Sequence, residues 1–274
     1  MMRDVVFYGD CLKRLAEIRT GSVQTTVTSP PYWGLRDYGV RGQVGLEKTL
    51  SEYVVRLSTI FDEVRRVTRR DGTLWLNLGD AYNAYNGNRG ASKSLSKHAD
   101  VARPKLPRGH GLVCRTMKNK DLMMVPATVA CALRDSGWTL REEYIWRKPR
   151  AIPERTKDRS PRVTERVYLF SKTDRYFFSR KGLAEFGDGE QNDVWTIATQ
   201  TFNGAHFATF PPELPARCIK ASTKRGDLVL DPFAGSGTTL AVAKWLGRHY
   251  LGIELNRAYR SLIDARFISI GGVL

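Results

Sequence analysis

Residues 27–33 read VTSPPYW, a short apolar run followed by a hydroxyl, two prolines and two aromatic rings. Proline fixes φ and lacks a backbone donor, so a strand cannot continue through Pro30 and Pro31. The chain must leave its sheet there as a stiff, extended ledge that presents Ser29, a backbone carbonyl, Tyr32 and Trp33. Two readings stand at this point: a rigid turn whose rings pack over the edge of a core, or a shelf that holds a ligand.

A second constellation is DLVLDPFAGSGTTL, residues 227–240. A strand runs into a tight glycine-rich turn that opens a helix. Glycines let the backbone approach a ligand, and the helix N-terminus offers free N–H groups. A P-loop would need Lys where Thr238 stands and Gly where Pro232 stands, which argues against nucleotide hydrolysis. A dinucleotide fingerprint would want a third Gly at Leu240, so that reading is weakened. About 20 residues beyond the turn, GIELN puts Glu254 at the end of the next strand, where a carboxylate accepts both hydroxyls of a ribose. Taken singly, Glu254 reads as a solvated strand-end acid. In series with Asp231, Gly235 and Gly237 it describes an adenosine site without a pyrophosphate, which S-adenosylmethionine fits.

The elements that must position these groups alternate. Strands are predicted at 5–9, 23–29, 73–79, 142–148, 166–172, 175–179, 227–231 and 249–255. Helices are predicted at 10–19, 50–70, 126–137, 238–247 and 256–267. Asp10 reads as a helix N-cap. Asp71-Gly72 reads as the stop of the 50–70 helix, and Pro126 and Gly137 bracket the next one. Strands alternating with helices predict an α/β domain on a largely parallel sheet. The pair RVYLFSK and RYFFS, with Thr173-Asp174 between them, reads as a hairpin that makes one sheet edge antiparallel.

With 274 residues the chain can bury a proper core, and its formal net charge of +16 favours a polyanionic partner, nucleic acid first. A generally basic protein is the plain alternative. Cys11, Cys114, Cys131 and Cys218 form no C-x-x-C pair, so neither a zinc site nor a disulfide framework is expected. MMRDVVFYGD has no signal-peptide core, and no apolar run is long enough to cross a bilayer.

Together, TSPPYW and DPFAGSGTT resemble the catalytic and cofactor motifs of the amino-group DNA methyltransferases, which modify N4 of cytosine or N6 of adenine. TERVYLFSK resembles a strand segment of that family. HFATFPPELPARCIKAST resembles the segment that lines the methionine end of the cofactor. The catalytic motif precedes the cofactor motif, the order of the family's β group, and the resemblance covers nearly the whole chain. It implies an α/β, Rossmann-like S-adenosylmethionine-dependent methyltransferase fold with a seven-stranded mixed sheet and a circularly permuted motif order. Residues 1–274 would form one catalytic domain, cytoplasmic in a prokaryotic or phage-infected cell.

The resemblance also assigns roles. Ser29 Oγ and the Pro30 carbonyl accept the hydrogens of an exocyclic amino group. Pro31 stiffens the ledge, Tyr32 stacks on the base, and Trp33 shapes the pocket wall on the DNA side. Asp10 stands near the methionine amino group, with a plain N-cap as its alternative. Phe207, Phe210 and Pro211 cover the cofactor, with core aromatics as theirs. Phe233 and Ala234 border the adenine, and Gly235, Ser236, Gly237, Thr238 and Thr239 complete the turn.

An exocyclic amino nitrogen is a poor nucleophile because its lone pair is delocalised into the ring. Acceptors that hold its hydrogens turn the lone pair toward the sulfonium methyl, and in-line proximity does the rest. The base must be flipped out of its duplex. No cysteine nucleophile is required, and no Pro-Cys pair of the carbon-5 enzymes occurs. Serine in the SPPY position is commoner among cytosine-N4 enzymes, so cytosine is expected and adenine N6 is the alternative. RNA and protein amino-group methyltransferases usually place the cofactor motif before the ledge. A silent nucleic-acid-binding module would show a broken ledge or turn, and both are intact.

Double-stranded DNA is the expected partner. The resemblance leaves a cognate restriction endonuclease and the oligomeric state open. Residues 81–121 are a basic insertion carrying Arg89, Lys93, Lys97, Arg103, Lys105, Arg108, Arg115, Lys118 and Lys120. It reads as a loop that orders on a phosphate backbone, or as a disordered surface insert. His98 and His110 within it have no second ligand at metal spacing, so no metal is expected. The stretch 147–166, with Arg147, Lys148, Arg150 and Arg155, suits phosphate contact and guanine readout, or a solvated connection. The family's usual recognition interval, here about 180–203, is short. Residues 147–203 are therefore the candidate recognition region, shared with the insertion.

Overall fold

Six consecutive residues, Val23–Thr28 (β2), are buried although four of them are polar. Such a strand must be covered on both faces, as in the middle of an α/β sheet. Its hydroxyls find neighbours there: Thr25 Oγ1 lies 2.8 Å from Thr73 Oγ1. The computed structural model describes residues 2–83, 114, 116–149, 151, 157–185, 192–200 and 210–270. Around β2 stand Val5–Tyr8 (β1), Thr68–Leu78 (β3), Thr139–Arg147 (β4), Thr164–Ser171 (β5), Val194–Thr196 (β6), Leu228–Asp231 (β7) and His249–Glu254 (β8). Among the described residues they make one sheet in the order β1-β8-β7-β2-β3-β5-β4-β6.

Two cores flank the sheet. Along β3, Leu74, Leu76 and Leu78 enter one and Trp75 the other, as the period of two requires. The first core is closed by Cys11–Ala16 (α1), Leu50–Val67 (α2) and Val125–Asp135 (α3). The second is closed by Arg180–Ala184 (α4), Glu213–Ser222 (α5) and Thr238–Trp245 (α6), with Phe267 of Arg260–Ser269 (α7) packed against it. Helix α2 starts at a capping box, with Thr49 Oγ1 accepting the Glu52 N–H at 3.1 Å and Glu52 Oε2 accepting the Thr49 N–H at 3.3 Å.

Five sequence expectations are corrected. The sheet has eight strands, because Val194–Thr196 adds a short one beside β4. Its Trp195 is 1 % exposed, with its ring centroid 4.4 Å from that of Tyr144, so this part of the expected recognition region is core. Helix α2 stops at Val67 rather than Arg70. Thr68 is already extended, sends its hydroxyl back to the Val64 carbonyl at 2.7 Å and pairs with Val23. Asp71-Gly72 therefore lies inside β3, where strand pairing overrides helix propensity. The expected hairpin does not form, because β5 is already paired on both sides, with β3 and with β4. Residues 175–179 pack instead, with the Phe178 and Trp75 ring centroids 6.5 Å apart. Finally, β5 runs against its neighbours from inside the sheet, so the antiparallel strand is not at an edge.

Candidate active site

Strands β2 and β7 are parallel neighbours with Thr26 opposite Leu230. The ledge after Thr28 and the turn after Asp231 thus leave the same edge of the sheet. That edge is the carboxyl end of the strands, where open α/β sheets bind ligands. The two exits are tied together. Thr28 Oγ1 donates to Asp231 Oδ1 at 2.6 Å, and the same oxygen accepts the Phe233 N–H at 3.0 Å. Asp231 is 2 % exposed, and burial pushes its carboxyl up to about 6 against the pull of these donors. Thr239, at the start of α6, adds a second tie, donating to the Val27 carbonyl at 3.2 Å.

The turn has two sides. Gly235 (φ +54°) and Gly237 (φ +81°) are left-handed, where a side chain is strained. A Cβ on Gly235 would meet nothing nearer than the Phe233 carbonyl at 3.8 Å, whereas one on Gly237 would lie 3.0 Å from Ile263. Gly235 therefore faces open space and Gly237 faces the fold. Beneath the turn, the buried Arg266 guanidinium lies 3.4 Å from Ser236 Oγ, and burial lowers it to about 10. Ser236, Thr238 and Thr239 are buried, and the Thr239 hydroxyl is a structural tie.

Glu254 closes the far side. It is 8 % exposed, and its two oxygens accept the Gly235 and Asn256 N–H groups, each at 2.8 Å. Desolvation raises its carboxyl from 4.5 to about 7, and those N–H donors only partly oppose it. Gly9 donates to the Glu254 carbonyl at 2.9 Å, so Asp10 begins beside this strand end. Asp10 Oδ1 caps α1 by accepting the Lys13 N–H at 3.1 Å. Tyr38 packs against Tyr259 and Leu262 near the acid, an enclosure that no local pattern announced. Phe233 and Phe210 are half-buried, against the first and second core respectively, and Ala234 donates to the Ile253 carbonyl at 2.9 Å.

On the ledge, Tyr53 donates to the Pro31 carbonyl at 2.9 Å, while no donor reaches the Pro30 carbonyl among the described residues. Among the described residues, Ser29 Oγ makes only a long 3.4 Å contact, to the Tyr32 hydroxyl. Ser29 and Pro30 thus keep acceptor capacity. Tyr32 is half-buried, and its hydroxyl donates to Glu165 Oε2 at 2.7 Å with Asn77 Oδ1 at 3.2 Å. Gly79 makes room for the ring: a Cβ there would lie 2.6 Å from Tyr32 Cε2. Gly79→Ala is expected to displace the ring by a large fraction of an ångström. Activity should then fall about 100-fold, with cofactor affinity unchanged by calorimetry.

Trp33 is corrected from the DNA side to the core. It is 2 % exposed, and its indole N–H donates to the Glu47 carbonyl at 3.0 Å. Lys148 pairs with Glu165 and lies 4.6 Å over the Trp146 ring, so it is held rather than extended toward a phosphate. Arg147 is exposed. Arg89, Lys93, Lys97, Arg103, Lys105, Arg108, Arg115, Arg150, Arg155 and Phe207 lie outside the described residues, as do His98 and His110. A cleft lined by Lys220, Arg225, Trp245 and Arg248 opens at the amino ends of β7 and β8. It is the wrong edge for this site, and its Lys220 and Arg248 are engaged by Glu185 and Thr223.

A parallel-centred sheet with a glycine turn and a strand-end acid at its carboxyl edge defines a Rossmann-like, nucleoside-cofactor enzyme. Residues 23–265 match the DNA methylase family model, and the chain belongs to that family of N6/N4 DNA methyltransferases. It is 48 % identical over 266 residues to the type II methyltransferase M.XycI of Xanthomonas campestris pv. cyanopsidis, covering 95 % of this chain and 86 % of that protein. Its fold is similar to that of the PvuII DNA methyltransferase, described as cytosine-N4-specific (TM-score 0.74, 22 % identity, 98 % and 88 % covered). It is also similar to TTHA0409, a DNA modification methylase of Thermus thermophilus solved in complex with S-adenosyl-L-methionine (TM-score 0.66, 25 % identity, 96 % and 93 % covered). No helix among the described residues is long and apolar enough to cross a membrane.

Proposed function

We propose that this DNA methyltransferase methylates N4 of a cytosine flipped out of double-stranded DNA at a specific sequence. S-adenosyl-L-methionine supplies an electrophilic methyl group on a sulfonium. The residues fit that cofactor: Gly235 has open space above it, Glu254 keeps lone pairs for two ribose hydroxyls, and Phe233 and Ala234 stand at the mouth of the turn. Ser29 Oγ and the Pro30 carbonyl hold the two amino hydrogens, which rotates the nitrogen lone pair out of the ring. Tyr32 supports the base from below. The observation that carries this reading is the 2.6 Å bond between Thr28 and Asp231, which fixes the acceptor ledge beside the cofactor turn.

Serine on the ledge, together with the cytosine-N4 description of the PvuII enzyme, favours cytosine over adenine. The test is methyl transfer from labelled cofactor to plasmid DNA and to RNA, followed by mass identification of the nucleoside. N4-methylcytosine in DNA is expected. N6-methyladenine would overturn the base assignment, and label confined to RNA would overturn the substrate. Arg147, Arg150 and Arg155 grip the duplex together with the insertion, and deleting residues 89–118 should change rate or site preference. Unchanged site preference together with an unchanged rate would remove the insertion from this role.

Glu254 gives the site a pH dependence. Its raised value means the folded, ligand-free chain holds more protons than the unfolded one between about 4.5 and about 7. The stability it contributes is therefore full below 4.5 and lost as pH rises through about 7. Ribose hydroxyls prefer the ionised acceptor, so cofactor binding must release a proton. Affinity is expected to rise as pH climbs through about 7 and level off above. Calorimetry a little below that value, in buffers of different ionisation enthalpy, should show the release, and Glu254→Gln should abolish it.

A further inference from the structure

The methylation reading gives Tyr32 a task, and on that reading we infer that Glu165 is the residue that positions it. Glu165 is the second residue of β5, 133 residues from Tyr32 in the chain. Its side chain is 16 % exposed. Its Oε2 accepts the Tyr32 hydroxyl at 2.7 Å and the Asn77 Nδ2 at 3.1 Å, and its Oε1 accepts Lys148 Nζ. Donors from three other places in the sheet therefore meet on one carboxylate: the ledge beyond β2, the end of β3 and the end of β4.

The chemistry is asymmetric in a useful way. A ring that only stacks needs no partner for its hydroxyl, and water would serve one that pointed outward. Here the hydroxyl is given a charged acceptor at the short distance of a charge-assisted O–H···O bond. Burial and the neighbouring carboxylate both keep the phenol protonated, so it remains the donor. Lys148 neutralises the acid that would otherwise sit half-buried and unpaired. Asn77 uses both ends of its amide, its Nδ2 on Glu165 and its Oδ1 facing the Tyr32 hydroxyl at 3.2 Å. The ring is thus fixed at its tip by Glu165 and along its Cε2 side by Gly79, which leaves little freedom at the ledge. Glu165 acts through Tyr32 and does not itself touch the base.

The experiment uses the full-length enzyme and a duplex that the wild type methylates. Glu165→Ala, Glu165→Gln, Tyr32→Phe and the two double variants are compared for kcat, KM for DNA, cofactor Kd and melting temperature. A fluorescent 2-aminopurine at the target position reports extrusion of the base. Glu165→Ala is expected to lower kcat about 10- to 100-fold, the range set by small misplacement of a reacting partner, with cofactor Kd unchanged. Base extrusion should be impaired in parallel. In the Tyr32→Phe background the same substitution should have little further effect, because the bond through which Glu165 acts is already gone. Glu165→Gln keeps the volume but sets an amide donor against Lys148 and Asn77, and should follow the alanine variant without a large loss of melting temperature.

An equal loss on top of Tyr32→Phe would overturn the inference and make Glu165 a direct contact of the base or a global structural residue. Wild-type kcat in both Glu165 variants would overturn it as well. The methylation reading fails on a different result: a wild type that labels no exocyclic amino group in DNA.

Discussion

Ser29→Ala should leave a folded, cofactor-binding enzyme that scarcely turns over. Among the described residues the hydroxyl makes only a 3.4 Å contact, so its loss should change stability by no more than about 0.5 kcal/mol, as for an uncommitted side chain. On the proposed mechanism it carries one of two hydrogen bonds to the reacting nitrogen. Removing one preorganised hydrogen-bonding group aimed at a reacting centre lowers kcat by about 10²–10³. The expected result is a kcat about 1,000-fold down, with unchanged melting temperature and cofactor Kd. Single-turnover assays with saturating DNA would separate this from weaker DNA binding. A variant that kept a tenth of wild-type kcat would remove Ser29 from the chemistry.

Asp231→Ala should be as damaging for the opposite reason, because it strikes structure and activity together. The substitution strands the Thr28 hydroxyl and the Phe233 N–H, both held by one Asp231 oxygen in a buried setting. An orphaned buried polar group costs about 1–3 kcal/mol, so the pair should lower stability by roughly 3 kcal/mol or more. The ledge and the turn would also lose their common anchor, and misplacement of that kind lowers activity about 100-fold. Asp231→Asn keeps volume and an acceptor oxygen and should recover most of the stability. A double-mutant cycle with Thr28→Val, read by denaturant unfolding, should give a coupling of about 1 kcal/mol or more. Additive losses would show that the two motifs are merely adjacent.

What the sequence disclosed and what it hid follow from distance along the chain. Pro30, Pro31, Gly235 and Gly237 act through local backbone geometry, so the ledge and the turn were readable at once, and so was the adjacency of β8 to the cofactor turn. The central place of β2 was not readable, because four of its six buried residues are polar and only strand pairing on both sides buries them. Glu165 and Asn77 were not readable, because an acid second in TERVYLFSK and an amide inside LWLNLG look like ordinary strand polars until the strands pair. The available signal was the burial those two strands demand, which leaves any polar residue within them needing a partner. Trp33 was misplaced because two adjacent rings look alike in sequence, and only the Glu47 carbonyl decides which one turns inward. The false hairpin at 175–179 had the right aromatic pattern, but both sides of β5 were already taken.

The pairing of β1 with β8, Val5 opposite Leu251 and Tyr8 opposite Glu254, joins segments made at widely separated moments of synthesis. Closing so long a loop is entropically slow, and it cannot begin until residue 254 has cleared the ribosome. A nascent chain therefore owns its ledge and much of its positive charge well before it can seat a methyl donor.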